Sequence, residues 1–204
     1  METDKGTVRV PAARFEPTSA TVGRSGTPLN EATSARLVVP PAAVFAGEVF
    51  DLAATVAAVP SYYPQFSRSF EWTPDPLLVE TWGDPQPGNF AVGGAQHSGF
   101  TFHTRALARA PGRVTLNAAT HIVNLSVGAG GFGFFQQRQY DQYSITSNTP
   151  TLEVKPLPPA PPAFSGAVGQ FKLVSKIVPE KAAVGEPITW TLELTGTGNW
   201  PDIA

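Results

Sequence analysis

Three histidines, His97, His103 and His121, are the side chains in this sequence best suited to bind a metal ion or to transfer protons. A zinc or similar site needs a third nitrogen, sulfur or carboxylate ligand close to such a pair. No cysteine occurs in the chain, and no carboxylate lies beside the histidines in sequence. The sequence therefore assigns no metal ligand, and it favours solvated histidines on strands.

The segment from Gly128 to Gly133 matches the spacing G-x-G-x-x-G of dinucleotide-binding loops. Such a loop must open directly into a helix, whose N-terminus binds the phosphates. The following residues, FFQQRQYDQYS, have no helical apolar stripe. No cofactor site is therefore assigned, and a Gly/Phe loop at one end of the fold is expected. Its Phe132, Phe134 and Phe135 form a candidate contact patch for a partner protein.

No arrangement typical of a hydrolase can be singled out. The glycine-flanked serine of a nucleophile elbow is absent, and no Ser-His-Asp order stands out. Four acids, Glu71, Asp75, Glu80 and Asp84, share one stretch, but the prolines between them indicate a solvated loop. No catalytic residue is assigned, and a non-enzyme is expected. A hydrolase that depends on His97 or His121 is the third and least supported hypothesis.

Aromatic side chains are concentrated between residues 62 and 82, where a set of stacking rings would suit a sugar. The set comprises Tyr62, Tyr63, Phe66, Phe70, Trp72 and Trp82. Phe70 and Trp72 are two residues apart, so they share one strand face, as core residues do. Packing is favoured, and a carbohydrate-binding sandwich is kept as the alternative function. Tyr62, Tyr63 and Trp82 remain candidates for an interaction surface.

Composition excludes several classes of protein. The 204 residues carry 14 basic and 16 acidic side chains, a formal net charge of -2, which gives no field to attract nucleic acid. The first ten residues are too polar for a secretory signal, and no run of 18 apolar residues could cross a membrane. The chain as given is therefore expected to lack both an export signal and a membrane anchor.

Apolar residues that alternate with polar ones predict strands with one buried face. The segment Val49–Val56 should bury Phe50, Leu52, Ala54 and Val56. The segment Gly112–Val123 should bury Val114, Leu116, Ala118 and Ile122. The segment Pro187–Thr195 should place Ile188, Trp190, Leu192 and Leu194 on one face. Helix is expected to be nearly absent.

The breaker group Ala110-Pro111-Gly112 separates Ser98–Leu107 from Gly112–Val123 and predicts that these two strands form a hairpin. In that hairpin only His97 and His121 would approach each other.

Two internal repeats divide the chain. Val39–Val56 resembles Val178–Leu194, with matching turns at Gly47-Glu48 and Gly185-Glu186. In addition, GTVRVPA at residues 6–12 resembles GRVTLNA at residues 112–118.

The repeats, together with many short strands, predict tandem immunoglobulin-like β-sandwich modules, one complete and two partial. Residues 1–39 would be the C-terminal tail of a preceding module, and residues 40–156 the complete sandwich. Residues 157–163 would be a stiff proline-rich linker, and residues 164–204 the N-terminal part of a further sandwich.

The last segment resembles the BatD oxygen-tolerance (aerotolerance) proteins over roughly residues 152 to 203. The resemblance rests on FSGAVGQF at residues 164–171, preceded by KPLPPAPPA and followed by VGEPITWTLELTGTGNWPDI at residues 184–203. Residues 1–151 are similar only in layout. The matching residues are Phe164, Ser165, Gly166, Ala167, Val168, Gly169, Phe171, Gly185, Glu186, Gly196, Gly198 and Asn199. Bends and packing at the strand entry explain the glycines without a ligand.

The resemblance implies a bacterial envelope protein with periplasmic β-sandwich domains, an export signal and a membrane anchor. It implies, as partners, von Willebrand A-type proteins and a MoxR-type ATPase, and it implies no cofactor and no catalytic residues. Both signal and anchor are missing here, so no direct membrane attachment of this chain is expected. Because the chain stops within the third module, it is expected to be a piece of a longer protein. The sequence thus predicts a scaffold or protein-interaction module, which binds through strand edges and end loops.

Overall fold

The computed structural model describes residues 20–23, 26–130, 137–162 and 164–200, and nearly all of their regular structure is strand. The strands are β1 (Thr21–Val22), β2 (Thr27–Pro28), β3 (Thr33–Val38), β4 (Val44–Phe45), β5 (Val49–Ala58), β6 (Gln65–Glu71), β7 (Leu77–Val79), β8 (Gln86–Val92), β9 (Ala95–Ala108), β10 (Gly112–Thr115), β11 (Thr120–Gly130), β12 (Gln137–Thr146), β13 (Thr151–Lys155), β14 (Val168–Val178) and β15 (Thr189–Asn199). Helical structure in the described residues is confined to short turns, which include α1 (Leu29–Ala32) and the 3-10 turn Pro60–Tyr62. The predicted all-β class is confirmed.

The main body is a two-layer β-sandwich. One layer is a sheet in the order β3-β5-β9-β7, and β8 also pairs with β9. Because β5 occupies one edge of β9 over most of its length, β7 and β8 pair with successive stretches of the other edge. The opposite layer consists of two three-stranded sheets, β12-β11-β6 and β10-β13-β4.

Two clusters of buried side chains fill the space between the layers. In β5 the alternation places Ala54 and Val56 in the cluster that faces β11 and β12. Phe50 and Leu52 of the same strand face β10 and β13. All four are at most 6% exposed, so the predicted inner face of this strand is confirmed.

The predicted hairpin between Ser98–Leu107 and Gly112–Val123 is wrong. After β9 the chain crosses to the opposite layer, where β10 pairs with β13 and β11 pairs with β12. Both apolar faces are satisfied because they pack against each other across the sandwich, not side by side in one sheet. Alternation identifies a strand's buried face but not the sheet that the strand joins.

The second predicted strand is also interrupted. β10 ends at Thr115 and β11 begins at Thr120, and the buried residues between them are Leu116 and Ala119. An uninterrupted strand would bury every second residue, but Leu116 and Ala119 are three residues apart. The buried positions after this break are therefore displaced by one residue. His121 and Val123 therefore point into the core, where the sequence predicted Ile122.

The predicted module boundary between residues 39 and 40 would separate two strands, β3 and β5, that belong to one sheet. β3 pairs with β5 over six residues, from Thr33 opposite Ala58 to Val38 opposite Ala53. Leu37 of β3 is 2% exposed and lies in the same core cluster as Val56. The residues before position 40 that the structure describes thus belong to the sandwich, and residues 1–19 of the predicted preceding module lie outside the described residues.

The repeated Gly-Glu turns have the same geometry in both places. Gly47 and Gly185 have φ angles of +79° and +94°, which glycine adopts without a steric penalty. The carboxylate of Glu48 accepts a hydrogen bond from the Phe45 N–H at 2.7 Å, and that of Glu186 accepts one from the Ala183 N–H at 2.8 Å.

Beyond the sandwich, the proline-rich segment leads to a two-stranded hairpin of β14 and β15, paired from Val168 opposite Asn199 to Val178 opposite Thr189. The methyl carbon Cγ2 of Val168 lies against Gly47 of the sandwich. A cavity of about 580 Å³ between the two parts is lined by Phe45 and Arg105 on one side and by Gln170 and Thr197 on the other.

Candidate interaction surfaces

The three histidines do not form a site. His97 and His121 are each 1% exposed, so the prediction of solvated histidines is wrong for both, and only His103 is exposed. The ring nitrogens of His97 lie 3.3 Å from the Ala95 carbonyl oxygen and 3.2 Å from that of Glu31. No group of three metal-ligating side chains occurs among the described residues.

His121 has a different environment. Its ring lies 6.0, 6.4 and 6.1 Å, between centroids, from the rings of Phe66, Phe70 and Phe102. Neither ring nitrogen has a hydrogen-bond partner within the described part of the chain. Burial lowers the pKa of this imidazole below 6.5, and the nearby Ser67 backbone opposes the shift in part. The sequence missed the burial of His121 because the one-residue shift after Leu116 cannot be recognised from alternation.

The four acids are exposed and do not converge on one point. Glu71 ends β6, and Asp75 and Asp84 lie in loops on either side of β7. Glu80 forms a bidentate ion pair with Arg105, with N to O distances of 2.6 and 3.0 Å. This carboxylate is therefore bound to a surface arginine.

The aromatic cluster of Phe70, Trp72 and Trp82 lies between the two three-stranded sheets of the opposite layer. Ring centroids of Phe70 and Trp82 are 4.9 Å apart, and those of Trp72 and Trp82 are 5.8 Å apart, both in edge-to-face geometry. Trp72 donates an indole hydrogen bond to the Asn117 carbonyl at 2.9 Å, inside the break between β10 and β11. Trp72 and Trp82 contact both core clusters and close the gap between them, whereas Phe70 contacts the cluster that contains Val123.

On its outer side the same cluster lines a groove of about 630 Å³. Its aromatic walls are Phe66, Phe70, Trp82, Phe100 and Phe102. Arg68 and Asp84 are exposed polar residues at this groove. The walls come from both layers of the sandwich, so the groove follows the free edge of β6.

The other candidate contact residues differ in their exposure to solvent. Tyr62 is half-buried and donates a hydrogen bond from its hydroxyl to Thr27 Oγ1 at 2.8 Å. Tyr63 is 51% exposed, and the guanidinium of Arg138 lies 3.6 Å above its ring centre. Phe132, Phe134 and Phe135 lie outside the described residues.

The hairpin of β14 and β15 presents one apolar face and one polar face. Residues opposite each other in the antiparallel register share a face, so Leu173, Leu194, Leu192, Ile177 and Trp190 lie together. Leu173, Trp190 and Leu192 are 62%, 63% and 53% exposed. The opposite face carries mostly lysine, threonine and glutamate side chains. The sequence correctly predicted which residues of β15 share a face.

The residues of the BatD-like motif shape the open end of this hairpin. Gly166, with φ +85°, is in the bend before β14, where Phe164 is 42% exposed and Ser165 and Ala167 flank the glycine. Gly169 lies opposite Gly198, and a Cβ on either would come within 3.1 Å of the Phe171 ring. That ring also packs against Trp200, with centroids 5.3 Å apart. Gly196 lies opposite Phe171, and Asn199 ends β15.

No helix among the described residues is both long and apolar enough to cross a membrane. Comparisons of the chain with protein-family models, with curated proteins and with solved structures found no match.

Proposed function

We propose that this chain is a non-catalytic protein-interaction module of a BatD-like scaffold in the bacterial periplasm. Support for the family comes from the sequence motifs of residues 164–171 and 184–203 alone. Support for an interaction role comes from one structural observation, the exposed apolar face of the β14–β15 hairpin.

That face is apolar and has no covering layer among the described residues. Strand β5 belongs to the sequence segment that repeats in β15, and its Phe50 and Leu52 are covered by the opposite layer of the sandwich. The corresponding residues of the second segment, Ile188 and Trp190, are 58% and 63% exposed. Exposed apolar patches of this kind mark interaction sites in soluble proteins. The partner proposed here is a membrane-associated protein of the von Willebrand A type, with a MoxR-type ATPase in the same system.

The test is an affinity pull-down from bacterial envelope extract with the full chain as bait. A charge on the apolar face, in the Leu192→Lys variant, should abolish enrichment of von Willebrand A-type proteins because a buried unpaired ammonium disfavours association. The matched control is Thr191→Lys, which adds the same charge to the polar face of the same strand and should leave enrichment unchanged. Equal enrichment with both variants would refute this interface.

A carbohydrate-binding module is the second candidate, favoured by the groove with aromatic walls beside β6. Its rings pack edge to face and contact the core, whereas sugar binding uses an accessible ring face. If the pull-down recovered only peptidoglycan or glycan, and Trp82→Ala removed it, the carbohydrate proposal would replace the first.

A further inference from the structure

His121 is a buried imidazole whose ring nitrogens make no hydrogen bond within the described residues, and the nearest polar influence is the Ser67 backbone. It lies on β11 opposite Phe70 of β6 and Ile145 of β12, and Phe102 of the other layer packs against its ring. His97 is buried to the same extent, but both of its ring nitrogens lie within hydrogen-bonding distance of carbonyl oxygens. The two histidines therefore differ in their polar contacts.

The strand that covers His121 is held by strand pairing on one side only. β6 is the edge strand of its sheet, and within the described residues it pairs only with β11. That pairing joins His121 to Phe70 and Val123 to Phe66, and it is irregular between these two pairs. The open groove of about 630 Å³ lies on the other side of β6, so outward movement breaks no further strand pairing.

No charged side chain on the neighbouring strands is positioned to stabilise a positive charge at His121. The titratable or charged residues of β6, β9 and β12 are Arg68, Glu71, His97, His103, Arg105, Arg138, Tyr140, Asp141 and Tyr143. All are exposed except His97, which has its own carbonyl partners, and Tyr143, which is half-buried. Tyr143 accepts a hydrogen bond from the Gly23 N–H at its hydroxyl. β11 has no other ionisable residue.

We propose that His121 is an acid-sensitive latch for β6: the neutral imidazole keeps the strand packed on β11, and protonation releases the strand and widens the aromatic groove. A protonated imidazole inside this cluster would lose its hydration without gaining a counter-ion, and the nearby Ser67 backbone compensates for that loss only in part. Contact with three aromatic rings offsets only part of that loss. Release of β6 returns the charged ring to water.

The direction of the pH effect follows from the lowered pKa of His121. In the packed state the imidazole stays neutral below pH 6.5, whereas in the released state it is protonated near its ordinary pKa of about 6.5. The stabilisation of packed β6 is therefore complete above pH 6.5 and is lost progressively as the pH falls from 6.5 through the lower pKa.

The test is amide hydrogen exchange of β6 residues 66–70 at pH 7.5 and pH 5.0, corrected for the intrinsic pH dependence of exchange. The opening constant of β6 should rise toward a limit of about 30-fold, which is the protonation ratio of an imidazole of pKa 6.5 at pH 5.0. Amides of β5 should not show this increase. The His121→Leu variant should abolish the increase, and the control variant His103→Leu, at the exposed histidine of β9, should retain it.

An increase that persists in His121→Leu would overturn the proposal. A second measurement covers a variant that fails to fold: the His121 ring resonances of the unchanged chain are followed by NMR through the same titration. Protonation below pH 6.5 together with faster β6 exchange supports the latch. Titration at or above pH 6.5, or protonation while β6 remains protected, contradicts it.

Discussion

Gly99 lies in the middle of the large sheet, between Ala57 of β5 and Gly88 of β8. A Cβ atom there would lie 2.6 Å from the Ala57 Cα and would overlap the Val56 carbonyl oxygen. Both obstacles are backbone atoms, which cannot rotate away as a side chain does. Strands β5, β9 and β8 can therefore approach each other this closely only because residue 99 has no side chain.

We expect Gly99→Ala to lower the free energy of unfolding by at least about 2 kcal/mol, because overpacking against backbone forces strands apart. Urea denaturation at pH 7.5 measures the change. The control is Gly83→Ala, where the added Cβ would lie 3.4 Å from the His103 carbonyl oxygen, near ordinary contact, and should cost less than about 1 kcal/mol. Similar losses in the two variants would show that the close approach at Gly99 is unimportant.

At the scale of elements, the β14–β15 hairpin differs from the strands of the sandwich. It consists of two strands with both faces largely exposed, and a two-stranded hairpin in water is marginally stable. Its described contacts with the sandwich involve the open end, at Val168 and around the cavity lined by Gln170 and Thr197. The hairpin is therefore expected to open locally before the sandwich unfolds.

Limited trypsin digestion should cut first at Lys172 and Lys176, both exposed on β14, and later at Arg105 in the centre of the large sheet. The products are identified by mass spectrometry over time. The double variant Lys172→Gln and Lys176→Gln should lose these early cuts while the sandwich remains resistant. Cleavage at Arg105 at the same rate as at Lys172 would contradict a separately opening hairpin.

For the whole molecule, the described sandwich begins before the predicted boundary at residue 40. Val22, Ala32 and Leu37 are each at most 2% exposed and belong to the core cluster that contains Val123 and Leu125. Asn148 also binds the backbone of Leu37, accepting from its N–H at 2.9 Å and donating to its carbonyl at 3.2 Å. Removal of these residues would uncover the core and expose the edge of β5.

A fragment of residues 20–156 should therefore unfold cooperatively, and a fragment of residues 40–156 should be less stable by at least about 3 kcal/mol or should not fold. Circular dichroism with urea titration measures both. A Leu37→Ala variant of the longer fragment should lose about 2 to 5 kcal/mol, since it leaves a cavity at a buried leucine. Equal stability of the two fragments would restore the boundary at residue 40.

Local patterns in the sequence were sufficient for the all-β class, the inner face of β5 and the two Gly-Glu turns. Each depends on a side-chain period of two or on backbone sterics, and both operate within about ten residues. Only the tertiary structure decided that β9 and β10 belong to opposite layers, that β3 joins β5, and that His121 points inward. An apolar strand face can be buried against more than one partner layer, so its pattern does not specify the partner. One extra residue at a strand break moves the following side chains to the opposite face of the sheet and so changes which of them are buried.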